Sequence, residues 1–125
     1  MASSDEIIHV DAAIREQTLR LYEKCVLHEI PAYMQEGVVA HVMKGRPVGD
    51  FLTAIFANDL MEAALRADGT NARRFLNYAR LLHSDVPMKC RGSLAEVKAW
   101  RKLGGLRGFY LQQLEPQPGE GADAG

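Results

Sequence analysis

Between Ile30 and Asn71 the chain reads IPAYMQEGVVAHVMKGRPVGDFLTAIFANDLMEAALRADGTN. Helix starts and stops stand in this segment at regular positions. Pro31 suits a first helical position, because the N–H that proline lacks would have no partner there. Met34, Val38, His41 and Val42 then recur at helical spacing and predict an apolar face, with Glu36 and His41 marking its solvent edge. Gly45 tolerates left-handed backbone and Pro47 cannot continue a helix, so the helix must end near Lys44. From Asp50 onward Phe51, Leu52, Ile55, Phe56, Leu60, Ala63, Ala64 and Ala67 form a broad stripe. Its width predicts a single long helix in contact with more than one neighbour, and hence a central one. Asp68-Gly69 ends it, and Thr70 or Asn71 is placed to cap the next.

The flanks follow the same grammar. Ile14, Thr18, Leu21 and Cys25 predict a helix over Asp11 to Leu27, capped by Asp5 or Asp11. After Asn71, a helix with Phe75, Leu76, Ala79, Leu82 and His83 on one side carries Arg73, Arg74 and Arg80 mostly on the other. Ser84 to Arg91, which contains Pro87, reads as a loop. Ser93 and Glu96 form a capping-box signature ahead of Leu94, Val97 and Trp100, and Gly104-Gly105 stops that helix. Leu106 to Leu114 is apolar enough to pack as a short helix or an extended segment. The expectation is an all-α bundle of about five helices over residues 1–113, one domain, followed by a disordered tail over 114–125 that has no apolar face.

Composition excludes several classes. Hydrophobic residues make up 47% and charged residues 25%, an ordinary globular balance that argues against disorder of the whole chain. No apolar run approaches the roughly 20 residues needed to cross a bilayer. The first residues hold three acids and no Lys or Arg before Arg15, unlike a signal peptide, so a cytoplasmic location is expected. Two cysteines are too few for a disulfide scaffold, and both are expected to be reduced.

Net charge is −1, yet the charges are unevenly placed. Residues 1–70 contain 6 basic and 11 acidic side chains, whereas 71–113 contain 9 basic ones against Asp85 and Glu96. Such asymmetry points to a partner, or to neutralisation within the fold or across a homodimer. The predicted third helix, short turn and basic fourth helix echo a helix-turn-helix, in which the first turn of the second helix faces base edges. On that reading Asn71, Arg73 and Arg74 contact bases or an acidic partner, while Lys89, Arg91, Lys98, Arg101, Lys102 and Arg107 contact phosphates. An antiparallel helical hairpin explains the same turn equally well.

Chemistry-bearing clusters are weak. Cys25 and His28 have ligand-like spacing, and His83 with Cys90 could complete a zinc set, but the second pair lacks compact spacing, so no metal and no cofactor is expected. Cys90, between Lys89 and Arg91, sits in an electropositive setting that favours thiolate and is the better nucleophile candidate of the two cysteines. Asp59 shares a helix face with Leu52, Phe56 and Ala63, where a carboxylate needs a partner; a structural ion pair with Arg73, Arg74 or Arg80 is expected, with a functional acid as the alternative. HExxH, GxSxG and CxxC do not occur, and GRPVGD and GGLRG lack the strand context of a phosphate loop.

The run from IPAYMQEG through GDFLTAIFANDL to RADGTN, followed by FLNYARLLHSDVP, CRGS and Trp100 before GGL, resembles a group of small uncharacterised helical proteins encoded in phages, prophages and other mobile elements of proteobacteria. The likeness covers Ile30 to Gly108. It implies a compact helical module and carries no activity. Arg91 stands where the group has an aromatic residue, which implies different packing around Trp100. The functional expectation is a non-catalytic binding or regulatory module that acts through a protein partner, with Tyr33, Met34 and Met61 as candidate contacts and a DNA-binding regulator as the alternative.

Overall fold

The structure, a computed structural model, describes residues 2–114. Among them the fold is all-helical: α1 (Ser4–Leu27), α2 (Ala32–Lys44), α3 (Asp50–Phe56), α4 (Leu60–Arg66), α5 (Gly69–Arg73), α6 (Phe75–Asp85), α7 (Leu94–Leu103) and α8 (Gly105–Gln113), with a 3-10 turn at Met88–Cys90. The helix count is therefore eight instead of about five. The expected third helix is broken between α3 and α4, the expected fourth is broken at Arg74 into α5 and α6, and the segment after Gly105 is a helix. The expected tail, Leu114 apart, lies outside the described residues. Among those described, no helix is long and apolar enough to cross a membrane.

Helix α1 begins before Asp11. Ser3 accepts from the Glu6 N–H at 3.2 Å and Glu6 reaches back to the Ser3 N–H, so a reciprocal capping box replaces the aspartate caps expected there. Asp11 instead pairs with Arg107 of α8 at 2.7 Å, and that guanidinium holds its carboxyl below the usual carboxylate range. The inner face of α1 is Val10, Ile14, Leu21 and Cys25, as its spacing requires.

Helix α2 ends at Gly45, whose φ of 66° is left-handed. Here the backbones of α2 and α8 nearly touch. Gly105 also has a left-handed φ, 69°, and a Cβ on it would lie 2.4 Å from the Gly45 nitrogen. Only glycine fits both demands. The last carbonyls of a helix lack intrahelical donors, and Trp100 of α7 supplies one: its indole N–H donates to the His41 and Val42 carbonyls at 3.0 and 3.1 Å.

His41 is no solvent edge. It is fully buried, with Nε2 at 2.9 Å from the Cys90 carbonyl and its ring 4.2 Å from that of Phe56, while Nδ1 has no partner among the described residues. Burial and the nearby Arg101 charge lower its pKa, against the opposing pull of the Cys90 carbonyl. The spacing that put His41 on the apolar face was the better guide; its polarity misled, because one backbone carbonyl is enough to hold a neutral imidazole inside. Glu36 is exposed, as expected.

Candidate functional site

The site begins with the break in the expected central helix. α3 closes with Asp59 N–H on the Ala54 carbonyl at 2.9 Å and Asn58 N–H on the Ile55 carbonyl at 3.1 Å, the Schellman arrangement. That closure needs a left-handed residue, and Asn58 takes the role with φ 59°. Asp59 then starts α4, its carboxylate accepting from the Glu62 N–H at 3.1 Å. Asp59 is thus an exposed helix cap and not a half-buried partner of Arg73, Arg74 or Arg80; it forms no ion pair among the described residues. The signal was present as Asn-Asp with Glu three residues on, a stop and a start written inside an apolar stripe.

Because α4 restarts at a new angle, its apolar residues separate. Ala63 faces inward, but Leu60, Met61 and Leu65 are 67%, 73% and 77% exposed. Glu62 and Arg66 pair on the flank at 2.7 Å, and Arg66 reaches back to Asp50 at 3.5 Å, closing α3 and α4 into a hairpin. The restart at Arg74 similarly turns α6. Tyr78, Leu81 and Leu82 are buried, whereas Leu76, Ala79 and His83, expected on the inner side, are exposed. Tyr78 takes the interior because its hydroxyl has an acceptor there, Asn71 Oδ1 at 2.6 Å.

Between these helices lies a cavity of about 260 Å³. Phe56, Ala63, Phe75 and Leu82 give it apolar walls, and Asn58, Asp59, His83 and Arg91 stand among the polar groups around it. The backbone just before α7 closes one side, pinned where the Gly92 N–H donates to the Phe56 carbonyl at 2.8 Å. Arg91 is half-buried with Nε on the Leu82 carbonyl at 2.9 Å, so in this chain the position serves the cavity wall and has no bond to Trp100. A shallower hollow lined by Met88, Lys89, Ser93 and Glu96 shares Arg91 and Gly92 with it.

The basic residues are spread over several elements and do not sit on one recognition helix. Asn71 is buried at 3% exposure and bonded to Tyr78, so it faces the core and is not a partner contact. α5 is one short turn of five residues, capped by Asp68 instead of Thr70 or Asn71, which leaves no recognition helix of the expected kind. Arg73 is exposed, and Arg74 pairs with Glu29 at 3.1 Å. Arg101 donates to Thr53 Oγ1 at 3.0 Å and Arg107 is held by Asp11. The Lys89 ammonium lies 4.9 Å from the Phe109 ring centre, and Lys98 and Lys102 are exposed on α7. Tyr33 donates to Asp68, joining the IPAYMQEG and RADGTN runs in a structural bond; Met34 packs half-buried against the core, and Met61 is open.

Both thiols are fully buried. Desolvation pushes Cys25 up to about 11 and Cys90 up to about 12, so burial outweighs the Arg91 charge and the expected thiolate character of Cys90 is lost. His28 lies 2.7 Å from Asp85, and His83 opens onto the cavity. Among the described residues no three His, Cys, Asp or Glu side chains are grouped to hold a metal ion. Comparison with protein-family models, with curated proteins and with solved structures finds no match for this chain.

Proposed function

We propose that this chain is a non-catalytic binding module that seats an apolar segment of a protein partner in the groove between α4 and α6. One observation carries the reading: the backbone break at Asn58 turns Leu60, Met61 and Leu65 outward, with Leu60 at the edge of a cavity that their own helix does not fill. The apolar stripe alone would favour a continuous helix, and the stop and start at Asn58-Asp59 break it at the point where the groove opens. The cavity lies below the roughly 300–1,000 Å³ common for small-molecule sites and suits one large side chain. Burial of both thiols supports a binding role over nucleophilic catalysis. The likeness of the Ile30–Gly108 motifs supports the further reading that the module is carried on a mobile element.

The test is affinity capture with the full chain and with Leu60→Ser and Met61→Ser, using Leu19→Ser on the outer face of α1 as control. A partner retained by the parent and by Leu19→Ser, and released by the α4 variants, is the expected result. Capture that ignores the α4 variants would remove the groove from consideration.

A further inference from the structure

We infer that α4 is a lid: it rolls about Ala63 and carries Leu60 inward over a side chain seated in the α4–α6 groove, an inference that rests on the groove reading above. The way α4 is held is the first argument. Its seven residues make two turns, too few for a helix to persist without tertiary support. That support is thin. Ala63 is the one buried residue of α4, and its side chain is a single methyl group. The helix packs chiefly against α3, and the Arg66–Asp50 pair that ties the two at 3.5 Å joins exposed side chains and contributes little. Among the described residues no hydrogen bond or ion pair joins α4 to α6.

The joints are the second argument. The backbone leaves the helical region on both sides of α4: at Asn58, with its left-handed φ of 59°, and at Ala67, which is extended at φ −70° and ψ 132°. Hinges are element-terminal positions of this kind, which absorb a change of φ and ψ between rigid parts. Beyond the joints the chain is pinned. The Asn58 N–H is held by the Ile55 carbonyl at 3.1 Å, and Asp68 accepts from the Asn71 N–H at 2.7 Å and from Tyr33 of α2. Motion is thereby confined to α4. Its direction follows from the helix faces: Leu60, Ala63 and Ala67 share one face at steps of 3 and 4, whereas Met61 and Leu65 lie off it. Leu60 lines the same cavity as Phe75, Ala79 and Leu82 of α6 and yet is 67% exposed. A roll toward α6 takes it out of water and onto that wall. Without a guest the roll encloses a void whose lining lacks contacts; with a side chain seated, Leu60 gains both the wall and the guest. Occupancy therefore favours the closed position, because only there does the guest meet Leu60.

The probe is indole, a stand-in for one large aromatic side chain, added to the full chain, with amide hydrogen exchange and NOE contacts read by NMR. Once indole is bound, the α4 amides should exchange about tenfold more slowly while those of α3 and α6 change little. NOEs should join the Leu60 methyls to indole, a readout that needs no variant. Leu60→Ala, at an exposed site that leaves folding intact, should weaken indole binding about tenfold and abolish the slowing in α4. Met61→Ser should leave both as they are. Indole bound with no slowing in α4 would overturn the lid and leave the groove reading standing. Equal effects of Leu60→Ala and Met61→Ser would also overturn it, since a roll about Ala63 moves the two side chains differently. Absence of indole binding up to its solubility limit would remove the lid and the groove together.

Discussion

Two ends of α3 meet different kinds of structure. On one side the α2–α7–α8 seam brings its backbones into near contact, with Gly45 against Gly105 and Trp100 bonded to the end of α2. On the other, the α3–α4 hairpin and α6 leave large apolar side chains in solvent around an open cavity. Both were written with the same alphabet of amphipathic spacing and glycine or aspartate punctuation. The difference lies in whether the helices that follow a break come back to cover what the break exposes. At Gly45 α8 does so; at Asn58 nothing in the described chain covers the outer face of α4. The seam closes on itself, and the hairpin stays open.

The largest expected effect tests the seam. Gly105→Ala adds a Cβ into the Gly45 and Lys44 backbone at a left-handed φ, so the loss of stability should be about 3–5 kcal/mol by denaturant titration. A loss under about 1 kcal/mol would mean that the two backbones separate easily and that the seam is no tighter than the hairpin.

The next concerns His41, which the seam buries in its neutral form. Its pKa in the fold lies below the ordinary histidine value of 6.5, so the unfolded chain binds the extra proton first. Its contribution is complete above 6.5 and falls as pH drops from there toward the lowered folded value, with a limiting slope of about 1.4 kcal/mol per pH unit. His41→Gln keeps a donor for the Cys90 carbonyl and should flatten the stability profile between neutral and mildly acidic pH. An identical profile in parent and variant would show that His41 titrates as freely as an exposed side chain.

Smaller effects belong to the hairpin. Asp59→Ala removes the α4 cap and should lower stability by about 1 kcal/mol while loosening hydrogen exchange in α4 more than in α3. Uniform loosening of both would show that they behave as one helix. Met61→Ser should change stability by no more than about 0.5 kcal/mol, because the side chain has little to lose on the surface, and yet weaken partner capture. A large stability cost there would mean that Met61 is core after all.

Most of the helical ground plan was readable from residues. Gly45, Ser93 and Gly104 punctuate the chain where their backbone chemistry demands, and Pro31 stands one residue before its helix instead of at its first position. The apolar rows on α1 and α2 face inward as spaced, as do Val97 and Trp100 of α7, whereas Leu94 is 48% exposed. What was not readable arose where two signals competed. An eight-residue apolar stripe outweighed the Asn58-Asp59 stop and start, though local hydrogen bonds at those two residues decide the matter in the structure. At α6 the pattern of 75, 76, 79, 82 and 83 is as good a helical face as 75, 78, 81 and 82; only the hydroxyl of Tyr78 finding Asn71 selects the second. The cavity itself could not be foreseen, because it is made by residues from 54 to 92 whose approach depends on both breaks.

The two sealed thiols make this molecule its own clock for opening. Cys25 belongs to α1, and Cys90 sits beside His41, so alkylation of each by a small thiol reagent can proceed only as fast as its surroundings part. Site-resolved labelling rates would then rank how often each half of the interior breathes, with no probe introduced and no residue changed.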